Sequence, residues 1–227
     1  MNIVVGSSRT RDLDKVEPLK SNETVEVWTR PGGRYADMKA LIDQHLIYHH
    51  GGPNLNHGQS HVYVVAGLCD ITEKIKNKNS HYQEIIFREN PEIAITRIKS
   101  SIKDLQSYIL SQNLIPIFCT IVPSHLEKQN LHSFDKGYTD HLDFISQYHN
   151  MQDEAMKVFE HLNTHIPIIN SSLNMATPNV HNSVFHNKSG GKKYFQFSKL
   201  ADGCHPTSEL KKNWAKHIDR AIKENRK

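Results

Sequence analysis

The sequence predicts an α/β fold: a three-layer sandwich in which a mostly parallel five-stranded sheet is flanked by helices. Two observations carry this. Short apolar runs alternate with longer segments whose apolar residues recur every three to four positions, in the order β, β, α, β, α, β, α, β, α. Strands separated by helices of this length pair in parallel, with helices on both faces of the sheet. No internal repeat and no linker interrupts the 227 residues, so residues 1–227 are expected to form a single domain.

The elements follow in order. Residues 2–5 form a short buried strand, and 24–28, "TVEVW", alternate as a second. Residues 34–50 place Met38, Leu41, Ile42 and Leu46 on one helical face. "HVYVVAGL", 61–68, is a β-branched third strand. Residues 91–112 open on Pro91, suited to a helix N-terminus, and keep the stripe Ile95, Ile98, Ile102, Leu105, Ile109. "LIPIFCTIV", 114–122, is the fourth strand, 141–162 a helix, and "IPIIN", 166–170, the fifth strand. Residues 207–224 close the chain as a helix with Leu210, Trp214, His217, Ile218 and Ala221 at helical spacing. Residues 123–140 and 171–201 lack a period; the first is expected to be a lid or insertion, the second a long mobile loop.

Composition excludes several classes. Hydrophobic residues make up 37% and charged residues 23%, enough for a sizeable core and against disorder. No apolar run approaches the ~20 residues of a membrane helix, and no basic segment with an apolar run marks a secretion signal. Three cysteines, Cys69, Cys119 and Cys204, without CxxC spacing give neither a disulfide framework nor a zinc ribbon; the expected compartment is reducing, hence intracellular, cytoplasmic or nuclear. A net charge of +4 is too small to imply nucleic-acid binding by itself. His45, His49, His50, His57 and His61 include an i,i+4 pair with metal-compatible spacing, but no HExxH accompanies it, and 16 histidines make chance clusters common; no metal site is assigned. No P-loop lysine motif and no GxGxxG occurs, so no cofactor is expected.

Four segments carry potential chemistry: "GSS" (6–8), "RPGGR" (30–34), "GLCD" (67–70) and "DGCH" (202–205). The first three follow strands one to three and converge on one rim of the predicted sheet. A serine at a strand-to-helix turn exposes its hydroxyl, but it becomes a nucleophile only if a histidine takes its proton and a carboxylate orients that histidine. Asp202 and His205 have the spacing for such a pair. Gly32 or Gly33 would let a backbone N–H approach a substrate oxygen, beside the Ser8 N–H. Singly, each segment reads as well as a helix cap, a turn, a strand end or a loop. Arg9, Arg11, Arg30 and Arg34 flank the first two segments and suggest an anionic partner, or else pair with Asp12, Asp14, Asp37 or Asp70.

Together, "VVGSSRTRDL", "RPGGRYADM", "VVAGLCDIT" and "LADGCHPTSELKKNWAKHI" resemble the blocks of the SGNH (GDSL-type) serine hydrolase superfamily across essentially the whole chain. The first and last blocks carry most of the likeness. An arginine three residues after Ser8 and the PG-x-R of the second block are similar to the esterase-like domains of some eukaryotic mobile elements. The resemblance implies an SGNH/flavodoxin-like sandwich and a catalytic Ser8, His205 and Asp202. It also implies oxyanion donors at Ser8, Gly32 or Gly33, and Cys69. Arg9, Arg11, Arg30, Arg34 and Asp70 are the candidate substrate-binding residues. The expected substrate is a small or anionic ester. The alternative is a catalytically weakened module that binds nucleic acid or another polyanion. Two departures stand out: Ser7 replaces the family's aspartate, and Cys69 replaces its asparagine, whose amide is a far better donor than a thiol.

Overall fold

Ile3, Val4 and Val5 are fully buried, but on opposite sides of a sheet, and that alternation organises the molecule. A computed structural model describes residues 1–22, 24–50, 60–76, 83–138, 142–187 and 193–226. Strand β1 (Asn2–Gly6) leads through 3-10 turns to β2 (Val25–Thr29), then come α1 (Tyr35–His50) and β3 (Ser60–Val65). A short α2 (Leu68–Ile71), a hairpin of β4 (Glu73–Lys76) and β5 (Gln83–Ile86), and α3 (Pro91–Ser111) precede β6 (Leu114–Phe118). There follow α4 (Leu126–Asp135), α5 (Tyr148–Ser171), a hairpin of β7 (Phe185–Asn187) and β8 (Lys193–Phe195), and α6 (Ser208–Glu224).

The central sheet has the order β2-β1-β3-β6, all parallel. On one face Ile3, Val5, Val62 and Val64 meet Met38 and Ile42 of α1, Ile98 and Ile102 of α3, and Val158 and Leu162 of α5. On the other, Val4, Tyr63 and Ile117 meet Leu210, Trp214 and Ile218 of α6, with Leu13, Leu19 and Val180 from irregular segments. The chain leaves β1 toward β2 on one side and later returns to β3 on the other. The ends of β1 and β3 therefore flank a reversal of strand order, where open α/β sheets bind ligands.

The sheet has four strands, not the five expected. Residues 166–170 belong to α5, which carries Pro167 in its interior. A strand would put residues 166, 168 and 170 on one face; instead Ile166 and Asn170 are buried and Ile168 is 63% exposed. The apolar stripe Val158, Leu162, Ile166 simply continues at helical spacing. Two asparagines of this helix occupy the place of the missing strand. Asn170 accepts from Phe118 N at 2.9 Å and donates to Phe118 O at 2.8 Å. Asn163 does the same for Ile121, at 2.6 and 2.9 Å. An interior proline costs a helix about 3 kcal/mol. Four hydrogen bonds of about 1 kcal/mol each, with the burial of Ile166, offset it.

The remaining segments are placed as follows. The helix expected at 141–162 starts only at Tyr148. Residues 123–138 hold α4, which packs against the loop before α6, where His125 N donates to Gly203 O at 2.8 Å; residues 139–140 lie outside the described residues. Residues 171–201 contain 3-10 turns and the β7/β8 hairpin; 188–192, with Lys188 and Lys192, lie outside the described residues.

Candidate active site

Strand β1 delivers Ser8 through a turn that only glycine permits. A Cβ at Gly6 would sit 2.3 Å from Thr10 Cγ2 and 2.7 Å from Val65 O. Thr10 then holds the turn, its N–H and its hydroxyl both donating to Ser7 O at 3.0 and 2.8 Å. Ser8, half-buried, begins the 3-10 turn Ser8–Thr10.

From the far end of the chain comes the turn at residues 202–205. His205 Nε2 lies 3.0 Å from Ser8 Oγ, and His205 Nδ1 lies 2.7 Å from Asp202 Oδ2. The other carboxylate oxygen, Oδ1, accepts from Cys204 N at 2.9 Å and His205 N at 2.7 Å. With Nδ1–H donating to the carboxylate, Nε2 is left to accept from the Ser8 hydroxyl. Burial alone would raise the Asp202 carboxyl; the hydrogen bonds from the His205 ring and the two backbone amides outweigh it and hold the group well below the usual carboxylate range. Gly203, at φ +84°, lies against α4, where a Cβ would meet Gln129 N at 2.6 Å and His125 O at 2.9 Å. The turn is thus set by local hydrogen bonds within it and by a helix behind it.

Ser8 and His205 open onto a cavity of about 330 Å³, which Gly32, Cys69, Lys74 and Gln129 also line. Gly32 is exposed, at φ +69°. Gly33 is buried and its N–H donates to Arg30 O at 3.0 Å, closing the "RPGG" turn. Of the two candidate oxyanion glycines, Gly32 therefore faces the cavity and Gly33 does not. Cys69, in α2, lines the cavity as expected; burial pushes its thiol up, so it stays protonated and a weak donor.

The substrate-binding candidates separate. Arg9 is not on the rim. Only 4% exposed, it donates from Nε to Cys204 O at 2.7 Å, from Nη2 to Pro123 O at 3.2 Å and from Nη1 to Val122 O, with its guanidinium over Trp214. It braces the loop after β6 to the 202–205 turn from beneath. Nor does Asp70 face a substrate: its carboxylate is buried and accepts from Tyr35 N at 3.1 and 3.3 Å, at the start of α1. Arg30 is exposed and 3.7 Å from Asp37. Arg11 and Arg34 are exposed, and Arg34 lies near enough to act electrostatically on Cys69 and Asp70. Among the histidines of the 45–61 stretch, His45 stacks on Trp28, with ring centroids 4.5 Å apart. The side chains of His49 and His50, and all of His57, lie outside the described residues.

Burial raises the Asp70 carboxyl from 3.8 to about 6. The native state thus holds this proton more tightly than the unfolded chain does. The stability it lends is fully present below about pH 4 and is lost as the pH rises through about 6. Asp70→Asn keeps an oxygen for Tyr35 N–H without the charge. Urea unfolding at pH 7.5 and 4.5 is expected to show the variant at least as stable as wild type at the higher pH. The gain on acidification should be smaller in the variant by on the order of 2 kcal/mol. Equal gains in both proteins would refute the assignment.

Sequence reasoning missed Lys74, Gln129 and Thr72, which also line the cavity. The usable signal was the pair of short β-type runs at 73–76 and 83–86, which pair antiparallel as β4 and β5 and bring Lys74 to the cavity.

No protein-family model matches the chain, and no curated protein matches it. Solved structures do. A GDSL-like lipase from Bacteroides thetaiotaomicron superposes over 99% of this chain and 88% of its own, with a TM-score of 0.60 and 15% identity. The OSK domain of Drosophila Oskar superposes over 96% of this chain and 86% of its own, with a TM-score of 0.54 and 10% identity. Identities this low speak to the fold and leave the chemistry to the residues themselves. The chain therefore has the fold of the GDSL/SGNH hydrolases.

Proposed function

We propose that the protein is a serine hydrolase acting on a small ester. The observation that carries this reading is the continuous hydrogen-bonded path from Ser8 Oγ through the His205 ring to Asp202, at 3.0 and 2.7 Å, opening onto a cavity. Ser8 Oγ attacks the ester carbonyl and passes its proton to His205 Nε2. Asp202 keeps Nδ1 protonated and steadies the imidazolium. The carbonyl oxygen takes the charge beside the N–H groups of Ser8 and Gly32. Collapse expels the alcohol, which takes the proton from Nε2, and water releases the acyl group by the reverse sequence. A cavity of about 330 Å³ fits a short acyl chain. No cofactor enters these steps. Arg34, exposed near Cys69, supports an anionic group on the substrate.

A fluorophosphonate is expected to label Ser8 and a short-chain aryl ester to turn over, and Ser8→Ala to lose both. A second reading, a polyanion-binding module in which catalysis has weakened, has support in Cys69 standing at the family's asparagine and in the exposed Arg11, Arg30 and Arg34. An unlabelled wild type with no turnover, together with nucleic-acid binding that weakens steeply with salt, would favour it.

A further inference from the structure

We infer that Lys74 is a catalytic residue of this chain, its ammonium stabilising the oxyanion at the corner of the cavity where Cys69 provides no effective donor. This rests on the hydrolase reading above. Three observations place the charge. A methyl group on Gly32 Cα would lie 3.8 Å from Lys74 Nζ, so the ammonium stands next to the amide assigned to the oxyanion. The same charge acts on the thiols of both Cys69 and Cys204, so it also lies near α2 and near the turn carrying His205. Lys74 also lines the cavity together with Ser8 and His205. Among the described residues no carboxylate forms an ion pair with it.

The site lacks what Lys74 would bring. Two backbone N–H groups remain for the oxyanion, and Cys69, a protonated thiol, contributes little as a third donor. Removing one such donor from a serine hydrolase costs roughly 10²–10³ in rate. An ammonium on a flexible stem can move to the oxygen as charge grows there. In the step, the Oγ–C bond forms, the carbonyl π pair moves onto oxygen, and the Ser8 proton goes to His205 Nε2. When the intermediate collapses, the bond to the alcohol oxygen breaks and that oxygen takes the proton from Nε2. Lys74 keeps its three protons throughout and acts by charge and hydrogen bonding alone. Its hairpin position makes it independent of the strands that carry the other groups.

The test uses the intact protein, p-nitrophenyl acetate as a neutral substrate, and the variants Lys74→Met, Lys74→Arg, Cys69→Asn and the double change Lys74→Met/Cys69→Asn. A neutral ester removes any role of Lys74 in holding a substrate anion. Lys74→Met is expected to lower kcat by about 10- to 100-fold with little change in KM, and Lys74→Arg to retain most of it. Restoring an amide through Cys69→Asn should raise kcat about tenfold or more in the Lys74→Met background, and far less in wild type. An unchanged kcat in Lys74→Met, or the same factor from Cys69→Asn in both backgrounds, overturns the inference. A Lys74→Met protein with an altered circular dichroism spectrum hands the decision to the Arg variant and to Cys69→Asn in wild type. There, an Arg variant as slow as a donor deletion, or a large gain from Cys69→Asn, overturns it. A wild type that neither turns over nor labels at Ser8 removes the hydrolase reading and this inference together; an active wild type indifferent to Lys74 removes only the latter.

Discussion

Asp202→Asn is expected to lower kcat about ten-thousandfold at neutral pH while the 202–205 turn stays folded. The asparagine oxygen can keep both backbone donors, Cys204 N and His205 N, that Oδ1 now accepts. What changes is the other arm. An amide NH₂ in place of Oδ2 donates to His205 Nδ1 instead of accepting from it. The ring proton then sits on Nε2, which lies 3.0 Å from Ser8 Oγ and must be bare to take the serine proton. The imidazolium that forms during attack also loses the carboxylate, whose charge three hydrogen bonds favour. Steady-state kinetics on an aryl ester, with a urea melt to confirm folding, would check this. A folded variant within tenfold of wild type would mean that the Ser8, His205 and Asp202 arrangement is structural rather than catalytic.

The second large effect concerns Arg9. Arg9→Met is expected to destabilise the fold by about 3–5 kcal/mol, read as a lowered urea midpoint, and to leave whatever protein still folds slow on esters. Methionine fills much of the volume but leaves the carbonyls of Val122, Pro123 and Cys204 buried without their donors. Burial disfavours the guanidinium charge, drawing its pKa down; Cys204 and Cys69, and the carboxylate of Asp202, act in the opposite sense. Arg9→Lys should recover only part of the loss, because a single ammonium does not match three carbonyls spread around a planar fork. A midpoint unchanged by Arg9→Met would show that the contacts around Arg9 are incidental.

The two experiments separate what the sequence made legible from what it did not. The serine and its partners could be read because each rests on local geometry. Ser8 follows a β-branched run and a glycine, and Asp202 and His205 are three residues apart, a spacing that closes within one turn. Arg9 illustrates the limit. Its neighbours in sequence suggest a binder of anions or a partner for a nearby aspartate, whereas its destination depends on carbonyls more than a hundred residues away. Asp70 shows the same limit: its partner, Tyr35 N, sits on a different helix. Lys74 reaches the cavity only through the pairing of two short strands, a contact that neither strand's own sequence encodes.

The sequence by itself determined the strand-to-turn delivery of Ser8, the alternation that yields a parallel sheet, the helical stripes of α1, α3 and α6, and the Asp202 and His205 pair, because each is a pattern within a few consecutive turns of chain. Tertiary structure alone decided that "IPIIN" would be helix rather than strand, because only there do Asn170 and Asn163 find the open edge of β6 at Phe118 and the segment just beyond it at Ile121. It also decided which charges stay exposed and which are buried inside, because burial and hydrogen-bond partners depend on segments that meet only when the chain has folded.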